Sequence, residues 1–415
     1  MRIAVIGSGI SGLAASWYLS RKHEIFLFEK NSRLGGHTNT VLVPTPQGAV
    51  PIDTGFIVHN DRTYPNLVRL LAELQVNTQP SDMSFSVSCR RTGFEYSSRG
   101  LNGYFAQRSN LFRYQHYLLL AEILRFNRNA LQMLNQPEAE EATIGDLLAE
   151  GHYNNIFYEQ YLFPMASAVW SMPPDSIRSF PAMTLLRFFD NHGMLGVNTH
   201  PQWKVICGGS YRYIPLLTAP LRDHIHLHSQ ITSISRQSRA VLLNFADRTP
   251  MVFDQVVFAC HGDQVLPLLE KPTEGEREIL SQFQTTRNVA TLHTDSALLP
   301  RRAAARASWN YHLGLCAQDA VSLTYHMNRL QSIEGPEEYC VTLNGEGAID
   351  EAKILRTFIY HHPLYNRAAI RAQARWGEIS GQNRTHYCGA YWFYGFHEDG
   401  VNSALRVASA LSGGS

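Results

Sequence analysis

The run Gly7-Ser8-Gly9-Ile10-Ser11-Gly12 spaces three glycines two and then three residues apart. Glycines at that spacing suit backbone wrapped around a phosphate. Gly7 permits a tight turn, Gly9 lets backbone approach a pyrophosphate, and Gly12 lets a helix pack closely on a strand. The backbone N–H groups of Ile10 and Ser11, at the start of that helix, face the phosphate charge. Glu29 follows 22 residues after Gly7. Its carboxylate, with Lys30 beside it, is placed to accept ribose hydroxyls. The chemistry implied is dinucleotide binding. A second glycine pair then occurs in Arg33-Leu34-Gly35-Gly36-His37-Thr38. It allows another close backbone approach, with Arg33 as a cation for phosphate. A simple NAD domain does not need this feature, whereas an extended FAD does.

These residues require a strand before them and a helix after them. Residues 2–6 are an apolar run ending in glycine, as a buried parallel strand does. Residues 10–20 carry apolar side chains at 10, 13, 14, 17 and 18, one face of a helix. Residues 24–28 (EIFLF) read as a second strand, which completes a βαβ unit and sets the class as α/β. Helices are expected over 111–134 and near 143–150. Strands return from 225, with a hairpin turning at ADRTP, and a last helix spans 400–411. The 415 residues suffice for two or three structural units at roughly 100–200 residues each. The pattern predicts a dinucleotide-binding domain in three segments, 1–75, 201–268 and 376–415. A substrate domain is inserted as 76–200 and 269–375. Hydrophobic residues at 44% and charged residues at 17% exclude wholesale disorder. Lys+Arg of 36 against Asp+Glu of 35 lacks the basic excess of a duplex-binding protein. No run of 18 apolar residues occurs, so a spanning helix is not expected. The first residues lack a signal-peptide layout. The six cysteines form no C-x-x-C pair, against a zinc finger, a redox dithiol or a disulfide scaffold. A cytoplasmic protein without metal is expected.

The Arg33–Gly36 run resembles the R-x-G-G motif of glutathione-reductase-like flavoproteins, in the branch holding amine oxidases, protoporphyrinogen oxidase and phytoene desaturases. The family's third basic residue is often Arg; here it is His37. Asp53-Thr54-Gly55-Phe56 resembles the D-x-G segment that lies near the flavin. Gly208-Gly209-Ser210 resembles the segment leading back into the FAD domain. Ile231 stands where the family contacts adenine by backbone, and the strand ending at Ala259 resembles D-x-V-V-x-A. Near the end, Gly389-Ala390 replaces the family's G-D or G-E pair. The carboxylate contact is therefore expected to be absent or supplied by Glu398 or Asp399. Gly395 and Gly400 also stand at the flavin, with the helix from Gly400 aiming its positive end at it. Over its whole length the chain resembles a bacterial family of FAD/NAD-binding proteins encoded beside cyclopropane-fatty-acid-synthase-like methyltransferases. Runs that carry this include Thr324-Tyr325-His326-Met327-Asn328, Tyr360-His361-His362-Pro363 and Gly395-Phe396-His397-Glu398-Asp399-Gly400. Similar domains are fused to plant cyclopropane fatty acid synthases, and a related bacterial enzyme desaturates methylated fatty acyl chains. The resemblance implies an amine-oxidase-like fold: a glutathione-reductase-like FAD-binding Rossmann domain with an inserted α+β substrate domain. The FAD is expected to be non-covalent, because the sequence around Cys388 does not match the covalently linked amine oxidases.

The chemistry expected is desaturation or isomerisation of a fatty acyl chain, in which flavin accepts a hydride and a positioned base takes a proton. His59, Tyr311 and His361 are the expected proton-handling residues. Two further readings stay open: an amine oxidase, and a non-catalytic flavoprotein that positions a neighbouring methyltransferase. Many amine oxidases of the superfamily place a Lys at a water beside the flavin. The five lysines here, at 22, 30, 204, 271 and 353, lie in no matching motif. An acyl chain needs a long apolar tunnel. The residues expected to wall it are Phe157, Tyr158, Tyr161, Phe163, Met165, Trp170, Met172, Phe180, Met183, Phe188, Phe189 and Met194. Residues 90–128 hold seven Arg against Glu95 and Glu122, a balance of +5, interleaved with aromatic and aliphatic side chains. That mixture suits peripheral contact with the inner face of an anionic membrane.

Overall fold

The computed structural model describes residues 1–135, 142–170, 174–196, 201–314 and 322–413. Met172, His200 and Cys316 lie outside the described residues. The first element is the strand Arg2–Ile6, buried on both faces from Ile3 onward. It is the middle of a five-stranded sheet ordered Ile225–His226, Glu24–Phe28, Arg2–Ile6, Gln255–Phe258 and Thr385–Tyr387. Every pairing in this sheet is parallel, with Val5 in register with Leu27 on one side and Val257 on the other. Near-continuous apolar strands are what a parallel sheet covered on both faces requires. The helix Ile10–Leu19 leaves the first strand directly. It packs against the last helix, His397–Ser412. An antiparallel meander of Ile231–Arg236, Val241–Phe245 and Met251–Phe253 stands beside this sheet, turning where the ADRTP turn was read.

A seven-stranded sheet forms the second layer, ordered Ile354–Leu364, Gln284–His293, Cys340–Leu343, Leu323–His326, Trp309–Leu313, Phe85–Cys89 and Phe94–Ser97. Its strands come from 85–97 and 284–364, whereas the parallel sheet draws on 2–28, 225–258 and 385–387. The helices Tyr114–Met133, Phe163–Trp170 and Ala182–Asn191 bury Phe126, Trp170, Leu185 and Phe189 in one cluster with Val87, Tyr311 and Leu323 of that sheet.

Two helix boundaries differ from the sequence reading. Leu111 and Phe112 belong to a 3₁₀ turn, Arg108–Phe112, and the long helix begins only at Tyr114 because Arg113 is extended. The final helix starts at His397 rather than Gly400. Asp399 accepts the Phe396 N–H at 2.9 Å and so caps the helix one turn earlier. The helix Ile144–Glu150 opens on a reciprocal Thr143–Asp146 capping box. Among the described residues no helix is long and apolar enough to cross a membrane.

Candidate functional site

A single cavity of about 1440 Å³ runs from the first glycine loop to the helices that cover the second sheet. Ligand pockets are commonly about 300–1,000 Å³, so this one has room for more than a small substrate. At its nucleotide end the wall includes Gly7, Ser8, Gly9, Ile10, Ser11, Glu29, Lys30 and Arg33. Gly36, His37, Gly55, Phe56, Ile231, Ala259, Gly389 and Gly395 also reach it.

The glycines there divide by role. Gly7 has φ +103°, which side chains rarely adopt. A Cβ on Gly12 would overlap the Gly7 carbonyl oxygen, so Gly12 serves helix packing and does not line the cavity. A Cβ on Gly9 would meet nothing within 4 Å, since it would project into the cavity. The helix Ile10–Leu19 has neither a side-chain cap nor an acid in its first turn. Its N–H groups are therefore left for an anion in the space above Gly9. Gly36 closes over this point, its Cβ position 3.0 Å from the Gly9 Cα. The cradle fits a pyrophosphate.

Glu29 is buried, and its carboxylate accepts four hydrogen bonds. Ser8 N donates at 3.1 Å, Ser8 Oγ at 2.6 Å, Asn31 N at 2.9 Å and Asn31 Nδ2 at 2.8 Å. A carboxylate has about four acceptor positions, so a ribose hydroxyl would have to replace the rotatable Ser8 hydroxyl or the Asn31 amide to reach it. Arg33 donates to the carbonyls of Gly36, Thr38 and Leu34 at 2.7, 3.2 and 3.3 Å. It braces its own loop while its charge stays at the cavity wall.

Other expected cofactor residues lie behind the wall. A Cβ on Gly35 would meet Thr38 O at 2.5 Å. Thr38 bonds the Tyr213 hydroxyl and His397 Nε2. Thr54 donates to Asn39 O at 2.9 Å and bonds the Tyr360 hydroxyl at 2.9 Å. Asp53 is fully buried and accepts from Ser210 N at 2.9 Å, Ser210 Oγ at 2.7 Å and Thr40 Oγ1 at 2.5 Å. It thereby joins two motifs that lie far apart in sequence, and burial pushes its carboxyl up to about 6.

The C-terminal acids correct the sequence reading. Glu398 accepts from Asn66 N at 3.0 Å and Leu67 N at 2.8 Å, which caps the helix Pro65–Glu73. Asp399 caps its own helix, and burial followed by the adjacent Glu398 raises it to about 7. Neither acid lines the cavity, nor does Gly400, which lets the final helix approach Ile10 and Ser11. Phe396 and His397 form the wall instead, with His397 stacked on Phe56 at 3.5 Å. Cys388 is buried off the wall, and burial pushes its thiol up to about 12.

Of the three expected proton-handling residues, His361 alone lines the cavity, and it is exposed. His59 is buried in the strand Val58–Asn60, where its neighbour Val58 is the wall residue. Tyr311 is buried in the second core. The sequence reading missed the surroundings of His361. His37 lies 5.0 Å from Tyr360, 5.3 Å from His362 and 5.8 Å from His261, ring to ring, and all reach the wall. Burial lowers His37 and His261 below the usual imidazole range and His362 to about 4, so these rings are neutral. The i, i+2 spacing of Tyr360 and His362 on one strand was the available signal.

Away from the nucleotide end the wall of the cavity is mainly apolar, with Asp82, Ser84, Arg99 and Gln202 among its polar residues. Tyr161, Met165, Trp170, Phe188 and Met194 line it as expected, joined by Trp203, Trp309, Tyr325, Ile359 and Tyr365. Phe157, Phe163, Phe180, Met183 and Phe189 are core residues, and Tyr158 packs against that core. Lys30 is the lysine on the wall. Lys204 pairs with Asp61 at 2.7 Å and Lys353 with Asp295 at 3.0 Å, both away from it. Among the described residues no cluster of three His, Cys, Asp or Glu is arranged to hold a metal.

Residues 10–327 match the profile of a family described as flavin containing amine oxidoreductase. No curated protein matches the chain. Among solved structures, a putrescine oxidase variant is 13% identical with TM-score 0.73, each chain covered in full. Cyclohexylamine oxidase from Brevibacterium oxydans is 15% identical with TM-score 0.69, covering 99% of this chain and 98% of the other. A fatty acid isomerase from P. acnes that produces CLA is 14% identical with TM-score 0.68, covering 98% of each. At these identities the likeness shows the fold.

Proposed function

The chain belongs to the flavin containing amine oxidoreductases, and on that premise we propose that it is an FAD enzyme that desaturates or isomerises a fatty acyl chain. The observation that carries this reading is the mainly apolar arm of the cavity, continuous with the nucleotide end. Among the described residues the carboxylates on the wall are Glu29, at the nucleotide end, and Asp82. Asp82 accepts from Ser84 N at 2.8 Å and Ser308 Oγ at 2.7 Å and lies 3.4 Å from the Arg329 guanidinium. An alkylammonium would therefore leave water without an unpaired acid to meet it, at a substantial desolvation cost. An alkyl chain gains from the same walls. The CLA-producing isomerase among the similar structures is a further support.

Bound FAD supplies the two-electron acceptor. The chain must hold the substrate, exclude water and take a proton. Trp170, Phe188, Trp309 and Tyr365 perform the first two tasks. His361 is the proposed proton acceptor, because it is an exposed imidazole on the wall beside buried neutral ones. The test is anaerobic absorbance of the FAD-loaded protein with a branched or unsaturated acyl phospholipid. Flavin bleaching or double-bond migration is expected, and simple mono- and polyamines should leave the spectrum unchanged. Rapid bleaching by an amine, with hydrogen peroxide formed when air is readmitted, would promote the amine oxidase instead. A flavin that no acyl lipid or amine reduces, without double-bond migration, would favour the non-catalytic partner.

A further inference from the structure

Residues 96–121 contain Arg99, Arg108 and Arg113 and no Asp or Glu. Among the described residues none of the three arginines pairs with a carboxylate. Arg108 donates to Phe105 O at 3.0 Å and Asn102 Oδ1 at 2.6 Å, which are neutral partners. Between these charges stand large side chains turned to solvent: Phe112 is 91% exposed, Tyr114 75% and Leu101 73%, with Leu111 and Tyr117 partly covered. Phe112 gains nothing from burial in the fold it belongs to. The pieces form one surface. Arg108 ties the 3₁₀ turn to the helix Gly100–Tyr104, and the Tyr117 hydroxyl donates to Leu111 O at 2.9 Å. The cavity opens at its edge, because Ser98 and Arg99 are both exposed and part of the cavity wall.

We propose that residues 99–117 dock the protein on an anionic phospholipid surface. Leu101, Leu111, Phe112 and Tyr114 enter the boundary between headgroups and acyl chains, and Arg99, Arg108 and Arg113 meet lipid phosphate. An acyl chain then passes from the bilayer into the cavity beside Ser98 and Arg99. Charge complementarity selects the occupant. Guanidinium groups that meet no carboxylate among the described residues, interleaved along 99–117 with exposed aromatic and aliphatic side chains, match a negatively charged interface. The passage of the chain rests on the acyl-substrate reading, whereas the docking does not.

The test is co-sedimentation of the FAD-loaded full chain with vesicles at low salt. Vesicles containing phosphatidylglycerol should pellet it, pure phosphatidylcholine vesicles should pellet far less, and added salt should release it. At about fivefold per arginine, the double variant Arg108→Ala/Arg113→Ala should weaken binding on the order of 30-fold. Phe112→Asp should abolish it with unchanged FAD content and melting temperature, since the side chain is 91% exposed. Arg239→Ala, an exposed arginine elsewhere, should have no effect. Equal binding to both vesicle types, or full binding by Phe112→Asp, would overturn the proposal. Self-association through this face without vesicle binding would overturn it too, marking an interface between copies. For chain passage, Phe112→Asp should slow turnover of bilayer acyl chains and spare the same chains in detergent. Wild-type protein that binds anionic vesicles yet turns over no acyl chain would refute the substrate reading and the passage while upholding the docking.

Discussion

Gly9 and Gly12 stand in one turn, yet a side chain at each has opposite consequences. At Gly12 a Cβ overlaps the Gly7 carbonyl, so Gly12→Ala disturbs the fold itself. At Gly9 the Cβ enters open space. Gly9 also has φ −66°, which any residue adopts. Gly9→Val should therefore fold with near-wild-type stability and lose FAD, because the valine occupies the place of the pyrophosphate. Absorbance near the flavin band after purification, with a melting curve of the apoprotein, checks both halves. Stoichiometric FAD in Gly9→Val would refute the assignment of the loop. Glu29→Ala should weaken FAD more mildly, since the phosphate cradle remains while Ser8 and Asn31 lose their shared acceptor.

Glu398 shows what elements ask of a residue that a motif cannot. It accepts N–H groups 332 and 331 residues earlier in the chain and so holds the start of Pro65–Glu73 against the final helix. Its removal by Glu398→Ala should cost about 1–2 kcal/mol in denaturant unfolding, the scale of a lost helix cap. FAD content should not change. Loss of FAD from Glu398→Gln at unchanged stability would return this acid to the cofactor. The first βαβ unit was legible in the sequence because glycine spacing and apolar period act within 30 residues. The later strands and the hairpin at ADRTP were legible for the same local reason. What stayed hidden was made by long-range packing. Examples are the Asp53 clamp on Ser210, the meeting of His37 with Tyr360 and His261, and the removal of Tyr311 from the cavity wall. The family resemblance offered Glu398 or Asp399 for the flavin. Their carboxylates instead accept backbone N–H groups at two helix starts, and neither lines the cavity.

Across the whole molecule, buried ionisable groups set a pH dependence whose sign follows from two opposing sets. His59, His293 and His386 are held at about 4 and His312 at about 3, each chiefly by burial. None lines the cavity. The geometry agrees at His293, whose Nδ1 accepts the Asp295 N–H at 3.0 Å and so carries no proton. Unfolding at a pH below the ordinary imidazole value of about 6.5 lets each take up a proton, so their contribution to stability is present above that pH and lost as pH falls. The raised carboxyls work in the other direction. Asp53, at about 6, and Asp399, at about 7, hold protons in the folded state that unfolded aspartates release, so each costs stability as pH rises toward those values. Through the window of about pH 4 to 6 the four uptakes exceed the two releases. Stability should then fall with acid by at least about 2 kcal/mol per pH unit, since His192 and His362, also at about 4, and His397, at about 3, add uptake of the same sign. Above about pH 6.5 the unfolded imidazoles lose their remaining protons while folded Asp399 gives up its own, the two effects nearly cancel, and stability should level off by about pH 7.5. Denaturant midpoints across this range check the asymmetry. Asp399→Asn removes one of the two releases and should steepen the acid limb by about 1 kcal/mol per pH unit. A profile that stays flat between about pH 6 and 4 would show that the four histidines are not buried in their neutral form.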